Sequence, residues 1–202
     1  AQIVYWDAGS PSYRWTQILD AGSIAATSTV LSARALHAGS QAPFAPAPLE
    51  QIVATIRSER PGIVFAPHVE TASGMILPQE WIATIAEVTH DVGSLFVLDC
   101  IASGAIWVDM RASGVDVLIS APQKGWSATP CAGLVMLGEE ARRRIDETTS
   151  SSFAADLKRW LGIMESYEKG GHAYHATMPT DALRMLRAAI TETFDFGLDA
   201  AQ

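Results

Sequence analysis

Two residues of opposite charge close consecutive apolar runs. Asp99 ends Ser94-Leu95-Phe96-Val97-Leu98, and Lys124 follows Val117-Leu118-Ile119-Ser120-Ala121-Pro122-Gln123, 25 residues later. A carboxylate at the inner end of an apolar strand is costly unless it meets a partner. A lysine among apolar neighbours sheds its proton readily and can then condense with an aldehyde as a Schiff base. Taken singly, the Asp is most simply a cap or turn residue, and the Lys a solvated charge. The joint pattern shifts that balance.

The elements that must position them alternate short apolar runs with longer amphipathic stretches, the mark of βαβ units around a mainly parallel sheet. Strands are expected at 2–6, 62–67, 94–99, 115–120 and 132–137, and helices at 13–22, 47–59, 78–91, 138–148, 154–167 and about 180–200. Continuous apolar strands of this kind need helices on both faces. The expected fold is therefore α/β, a three-layer mainly parallel sheet with helices on both faces. Thr180, after Pro179, is a candidate N-cap for the last helix, with Asp181 in its first turn. Residues 39–48 read as a loop entering the second helix.

On such a sheet ligands sit at the carboxyl ends of strands. Three polar clusters lie there: His68-Val69-Glu70-Thr71, Asp99 to Ser103, and Gln123-Lys124. A fourth, Tyr174 to Thr177, precedes the last helix. Convergence of the four on one site is the expectation. Pyridoxal 5′-phosphate asks for the central pair, a Lys at its aldehyde carbon and an Asp at its ring nitrogen.

The bulk properties narrow the alternatives. The chain has 202 residues, is 49% hydrophobic and 18% charged, and carries a net charge of −8. One sizeable domain is expected. The longest basic run is Arg142-Arg143-Arg144, which argues against nucleic acid as a partner. No apolar run is long enough for a membrane span. Cys100 and Cys131 lie far apart and not at metal-ligand spacing, so no metal site is expected; they read as free thiols in a reducing, cytoplasmic compartment. Ala8-Gly9-Ser10 does not make the glycine-rich turn of a dinucleotide binder.

Three segments in order carry a resemblance: His68-Val69-Glu70-Thr71-Ala72-Ser73-Gly74, Val97-Leu98-Asp99-Cys100-Ile101-Ala102-Ser103, and Asp116 to Lys124 through Ser120-Ala121-Pro122-Gln123. Together they resemble the class V pyridoxal-phosphate-dependent aminotransferases of the alanine–glyoxylate and serine–pyruvate type, in which an H-x-E-[ST] turn is followed by D-x-x-A-S and then S-x-Q-K. The resemblance implies the large domain of a fold type I transferase. It further implies transamination between a small amino acid (alanine or serine) and a 2-oxo acid (glyoxylate or pyruvate).

It also implies roles. Lys124 would bear the cofactor and shuttle a proton to and from the substrate Cα, and Asp99 would pair with the ring nitrogen. Thr71 would hydrogen-bond the 3′-oxygen, Ile101 would pack on a ring face, and Gln123 would contribute at the phosphate end. Tyr174 and Thr177 match a segment that reaches the neighbouring subunit's cofactor phosphate, which implies a homodimer with shared sites. Ser103 is either near substrate or a turn cap. His68 reads as a structural hydrogen-bonder and Glu70 as a residue orienting the Thr71 turn. His172 and His175 read as interface or solvent residues. Trp81, Trp107, Trp126 and Trp160 read as core or interface, with Trp126 close enough to Lys124 to line the pocket.

Some of the pattern lies off these residues. The helix turn that cradles the phosphate is expected before residue 1, and the small domain with its carboxylate-binding Arg after Gln202. Residues 1–202 are thus expected to be the cofactor-binding large domain alone. The aromatic that stacks on the ring falls near Pro11, with Tyr13 and Trp15 beside it. Related chemistries stay open, including aminophosphonate or ureidoglycine donors and lyases, as does a non-catalytic dimerisation scaffold. A desulfurase is disfavoured, since neither cysteine stands where a mobile catalytic loop would carry it.

Overall fold

Residues 2–7, 13–24, 27–39 and 42–202 are described by the computed structural model, with side chains from residue 14 onward. In chain order the strands are β1 (Gln2–Asp7), β2 (Thr27–Ser32), β3 (Arg34–Ala35), β4 (Phe44–Ala45) and β5 (Ile63–Pro67). They continue with β6 (Val69–Glu70), β7 (Met75–Ile76), β8 (Leu95–Asp99), β9 (Val117–Ser120) and β10 (Leu134–Leu137). The helices are α1 (Tyr13–Gly22), α2 (Leu49–Glu59), α3 (Gln79–Asp91), α4 (Met110–Ser113), α5 (Glu139–Asp146), α6 (Leu157–Glu168) and α7 (Thr180–Phe196).

Six strands form one sheet in the order β10-β9-β8-β5-β1-β2. Every pairing in it is parallel except that of β10 with β9. The alternation along β5 shows why helices cover both faces. Val64 and Ala66 join the main core with Ile52 and Ile56 of α2 and Ile82 and Ile85 of α3, while Phe65 points the other way and meets Trp15 and Leu19 of α1. On β8, Leu95, Phe96, Val97 and Leu98 are all buried, as a strand sandwiched between helices requires. The expected three-layer α/β fold is therefore the observed one.

The strand β2 was not anticipated in the sequence. It sits at the sheet edge and reads Thr-Ser-Thr-Val-Leu-Ser, with Leu31 its one buried residue. An edge strand has little apolar patterning to betray it. Likewise the loop expected at 39–48 contains β4, which pairs with β3 as a two-stranded antiparallel ribbon. The last helix ends at Phe196 and continues as a single 3-10 turn, Asp199–Ala201. Thr180 does not cap it: the capping position is Pro179, with no side-chain bond, and Thr180 is the first helical residue. The segment 154–156 stays outside α6 because Asp156 takes the N-cap and accepts from the Arg159 N–H at 3.1 Å.

Among the described residues, no helix is long and apolar enough to cross a membrane. The arginine run is neutralised on the helix surface: Arg142 pairs with Glu165, Arg143 with Glu140 and Glu147, and Arg144 with Glu140. It offers no concentrated basic face.

Candidate active site

Register brings the three sheet-end clusters to one edge. In the parallel ladder Pro67 of β5 faces Asp99 of β8, and Asp99 faces Ile119 of β9. The turn after β5, the loop after β8 and the turn after β9 therefore leave the sheet side by side. The main-chain N–H of His68 donates to the carbonyl of Asp99 at 2.9 Å, and that of Cys100 to the carbonyl of Ile119 at 2.8 Å. These bonds carry the ladder one step beyond the strands.

Asp99 is half-buried at the centre of this edge. One carboxylate oxygen accepts from the Ile101 N–H at 2.9 Å. Burial pushes its pKa above the ordinary carboxylate value, against hydrogen bonds from Ile101 and from the Trp15 side chain that hold it down; the nearby Glu70 adds a further upward push. Such a carboxylate gains from a cationic partner. Trp15 also stacks at 4.5 Å on Phe65, so α1 delivers an indole to the edge where Asp99 stands. Pro11 lies outside the described residues, as does the side chain of Tyr13.

The β5 cluster forms a tight hairpin, with β6 paired to β7. Glu70 is buried to 2% exposure, and its carboxylate accepts from the Ala72 N–H at 3.1 Å. That bond bends the chain at Thr71 and leaves Thr71 exposed at the tip, as expected for a residue that orients the turn. His68 is buried behind it, its Nδ1 sharing a hydrogen bond of 2.7 Å with the Ser103 hydroxyl. Burial pulls the imidazole below its ordinary value. Ser103 thus does more than cap its own turn. Ile101 is half-buried beside Asp99. Cys100 is buried, and burial pushes its thiol up to about 12 despite a hydrogen bond from Ser103.

Gln123 and Lys124 lie in a turn, residues 122–126, and both side chains are exposed. The expectation of an apolar setting for Lys124 is corrected here. The β9 run ends before the lysine, and the turn lifts it clear of the core. The turn is closed by the Ser127 N–H donating to the Lys124 carbonyl at 2.9 Å and the Ala128 N–H to that of Pro122 at 2.9 Å. Its neighbour Gly125 packs directly on the backbone of Gly104. Trp126 meets Trp107 at 5.0 Å between ring centroids, and the Trp107 indole N–H donates to the Leu198 carbonyl at 3.0 Å. Trp126 is therefore tied, through Trp107, to the residue that opens the 3-10 turn Asp199–Ala201.

The fourth cluster is anchored through His175. Tyr174 is 77% exposed, and its hydroxyl shares a hydrogen bond of 3.1 Å with Thr177. His175 Nε2 bonds the Phe153 carbonyl at 2.8 Å, and its ring packs on Phe153 and Trp160. The hydrogen bond and ring contacts of His175 join this segment to the approach to α6, while the strand register brings the other three clusters side by side. Sequence reasoning missed the His68–Ser103 bond and the Gly125–Gly104 contact. The His-x-Glu-Thr and Asp-x-x-Ala-Ser spacing was the signal for the first; the second had none beyond a glycine after Lys124.

The residues at this edge fit an aromatic cationic cofactor with an aldehyde. A desolvated carboxylate stands beside an indole, and an accessible lysine stands on the adjacent strand's turn.

Comparison with known proteins bears on which cofactor. The Aminotransferase class-V family profile matches residues 33–202. The chain is 28% identical over 154 residues to alanine–glyoxylate aminotransferase of Callithrix jacchus, covering 75% of this chain and 36% of that protein. It is 32% identical over 165 residues to 2-aminoethylphosphonate–pyruvate transaminase of Burkholderia thailandensis, covering 79% of this chain and 42% of that protein. Among solved structures, alanine–glyoxylate aminotransferase from Nostoc sp. superposes with a TM-score of 0.80 at 23% identity, over 99% of this chain and 49% of that one. The chain thus spans between a third and a half of the length of these relatives, 36% to 49%. The family implies pyridoxal 5′-phosphate as cofactor, and the chain belongs to the class-V aminotransferases.

Proposed function

We propose that these 202 residues form the cofactor-binding large domain of an aminotransferase that passes an amino group from a small amino donor to a 2-oxo acid. The observation that carries the reading is the side-by-side exit of Asp99 and the Lys124 turn from adjacent parallel strands, with Gly125 against Gly104. When bound, pyridoxal phosphate supplies an electron sink for negative charge at the substrate Cα. Asp99 would hold a proton on the ring nitrogen, Thr71 would donate to the 3′-oxygen, and Ile101 would pack on one ring face. Gln123 would serve the phosphate end. Lys124 would anchor the cofactor and, once released, take and return the Cα proton through Nζ. A carboxylate desolvated at the sheet edge, as Asp99 is, gains from a bound cation such as a protonated ring nitrogen.

Alanine or serine as donor and glyoxylate or pyruvate as acceptor is the finer reading, supported by the alanine–glyoxylate relatives. The 32% identity to a 2-aminoethylphosphonate–pyruvate transaminase favours an aminophosphonate donor as the second reading. The exposed Tyr174–Thr177 pair supports a homodimer in which each subunit reaches its neighbour's phosphate site. The free cysteines Cys100 and Cys131 suit a reducing compartment such as the cytoplasm.

The test is made on the full-length protein. Lys124→Ala should abolish the visible absorption of covalently held cofactor, while Asp99→Asn should keep the fold and lower turnover by about 10²-fold or more. Half-reaction spectra with alanine, serine and 2-aminoethylphosphonate then identify the donor. Absence of any cofactor signal in the wild-type protein would overturn the reading.

A further inference from the structure

Behind the exposed side chains of the candidate site lies a buried bond that joins its separate loops. His68 and Ser103 are 4% and 5% exposed, and their side chains meet at 2.7 Å. His68 begins the hairpin that carries Thr71: its carbonyl accepts from the Leu77 N–H at 2.8 Å, closing that hairpin's base, and its own N–H holds the Asp99 carbonyl at 2.9 Å. Ser103 belongs to the loop that begins at Asp99; its N–H donates to the Cys100 carbonyl at 3.2 Å, and its carbonyl accepts from Ile106 at 3.1 Å. The next residue, Gly104, is the surface on which Gly125 rests. A Cβ on Gly125 would lie 2.6 Å from the Gly104 carbonyl carbon and 3.3 Å from its Cα, so the Lys124 turn is seated directly on the Ser103 loop.

We propose that His68 and Ser103 are a positioning couple whose hydrogen bond sets the Thr71 hairpin, the Asp99 loop and, through Gly104 and Gly125, the Lys124 turn in one fixed arrangement. The inference rests on the transaminase reading for what that arrangement does, and on geometry alone for the coupling itself. An apolar pair of the same volume would fill the space but fix no direction; a buried hydrogen bond specifies both distance and angle. Thr71 and Lys124 are exposed and have no core packing of their own to locate them, so their placement depends on what their turns are tied to.

The coupling is tested first in the cofactor-free full-length protein by amide hydrogen exchange. Ser103→Ala, which deletes one oxygen atom, should speed exchange at residues 122–128 as well as at 68–77. Faster exchange confined to residues 100–106 would overturn the proposal whether or not the protein is a transaminase. The second readout is kinetic and spectroscopic. Ser103→Ala and His68→Leu should each lower kcat about tenfold, with KM changed less, because misplacement of reacting groups acts on turnover. Both should weaken the visible circular dichroism of bound cofactor. His68→Asn, which keeps a polar nitrogen near the Nδ1 position, should recover to within about threefold of wild type. The double variant Ser103→Ala/His68→Leu should be no worse than the poorer single variant by more than about threefold. Multiplicative losses in the double variant, or no recovery in His68→Asn, would overturn it. If His68→Leu fails to fold, Ser103→Ala and His68→Asn carry the test. Coupled exchange in a full-length protein that takes up no added pyridoxal phosphate would refute the transaminase reading and leave the positioning couple standing.

Discussion

Gly125 rests on the carbonyl of Gly104, so closely that no side chain fits between them. The contact joins the turn bearing Lys124 to the loop that begins at Asp99, and it is made by backbone on both sides. Neither side can yield by a rotamer change. Gly125→Ala should therefore cost about 1–3 kcal/mol, the range for forcing extra atoms into a packed site, and should displace the lysine turn as it does so. The expected result is a lower denaturant midpoint together with loss of cofactor occupancy at saturating pyridoxal phosphate. An alanine variant of unchanged midpoint and occupancy would show that the two loops do not touch in solution.

Acid should loosen this edge of the sheet through His68. Burial holds its imidazole below the ordinary value of 6.5. In the unfolded chain the ring protonates as pH falls through that value, while in the folded chain it stays neutral until a lower pH. The unfolded state thus binds more protons in the interval, and stability falls as pH falls from 6.5 toward the depressed folded value. Asp99 acts in the opposite sense. Its raised pKa means that its contribution is lost as pH rises from the ordinary 3.8 through the folded value. The two contributions have opposite sign and are told apart by mutation: His68→Asn should flatten the fall in melting temperature of the cofactor-free protein as pH drops below 6.5, whereas Asp99→Asn should remove a loss of stability that sets in as pH rises above 3.8. An unaltered acid profile in His68→Asn would place the titrating group elsewhere.

Asp116 predicts the converse behaviour, stability without chemistry. It stands just before β9, at the opposite end of that strand from the Lys124 turn. Its carboxylate accepts from the Phe96 N–H at 2.7 Å and from His90 Nε2 at 2.9 Å, tying α3 to the sheet. Asp116→Ala strands the Phe96 N–H in the core and should cost about 1–3 kcal/mol. Turnover per folded, cofactor-loaded molecule should be unchanged within about twofold, because independent distant sites act additively. A chemical denaturation curve and an active-site-normalised kcat check the two halves of this claim separately.

The contrast between Asp99 and Asp116 shows what was legible in the sequence. Asp99 stood out because it closes a wholly apolar strand 25 residues before Lys124, and one cofactor asks for both side chains. Asp116 opens the segment that ends at Lys124, yet its bonds to Phe96 and His90 reach residues 20 and 26 positions away and follow no period. The sheet was readable at β5, β8 and β9 because strands buried on both faces must be apolar throughout. It was not readable at β2, where one buried residue, Leu31, does the packing of an edge strand. The setting of Lys124 was misjudged for a related reason. Apolar neighbours in sequence become apolar surroundings only while the chain stays in the strand, and here it turns at Pro122.

Tyr174 and Thr177 give the sharpest test of how sites are shared. Their hydroxyls bond one another on an exposed segment held by His175 against Phe153 and Trp160. If this pair completes the neighbouring subunit's site, defects in the pair and in the lysine fall in different sites of a mixed dimer. Full-length Lys124→Ala protein and a Tyr174→Phe/Thr177→Ala protein should each be nearly inactive at low cofactor concentration. Co-refolded in equal amounts, half of the dimers are mixed, and each holds one intact site made from the lysine of one subunit and the hydroxyls of the other. Activity should then return to about a quarter of wild type, the statistical yield of intact sites in a twofold dimer. Recovery is measured as turnover after refolding the mixture, against each variant refolded alone. Were the hydroxyls to serve their own chain's cofactor, every site in the mixture would carry one lesion and no activity would return.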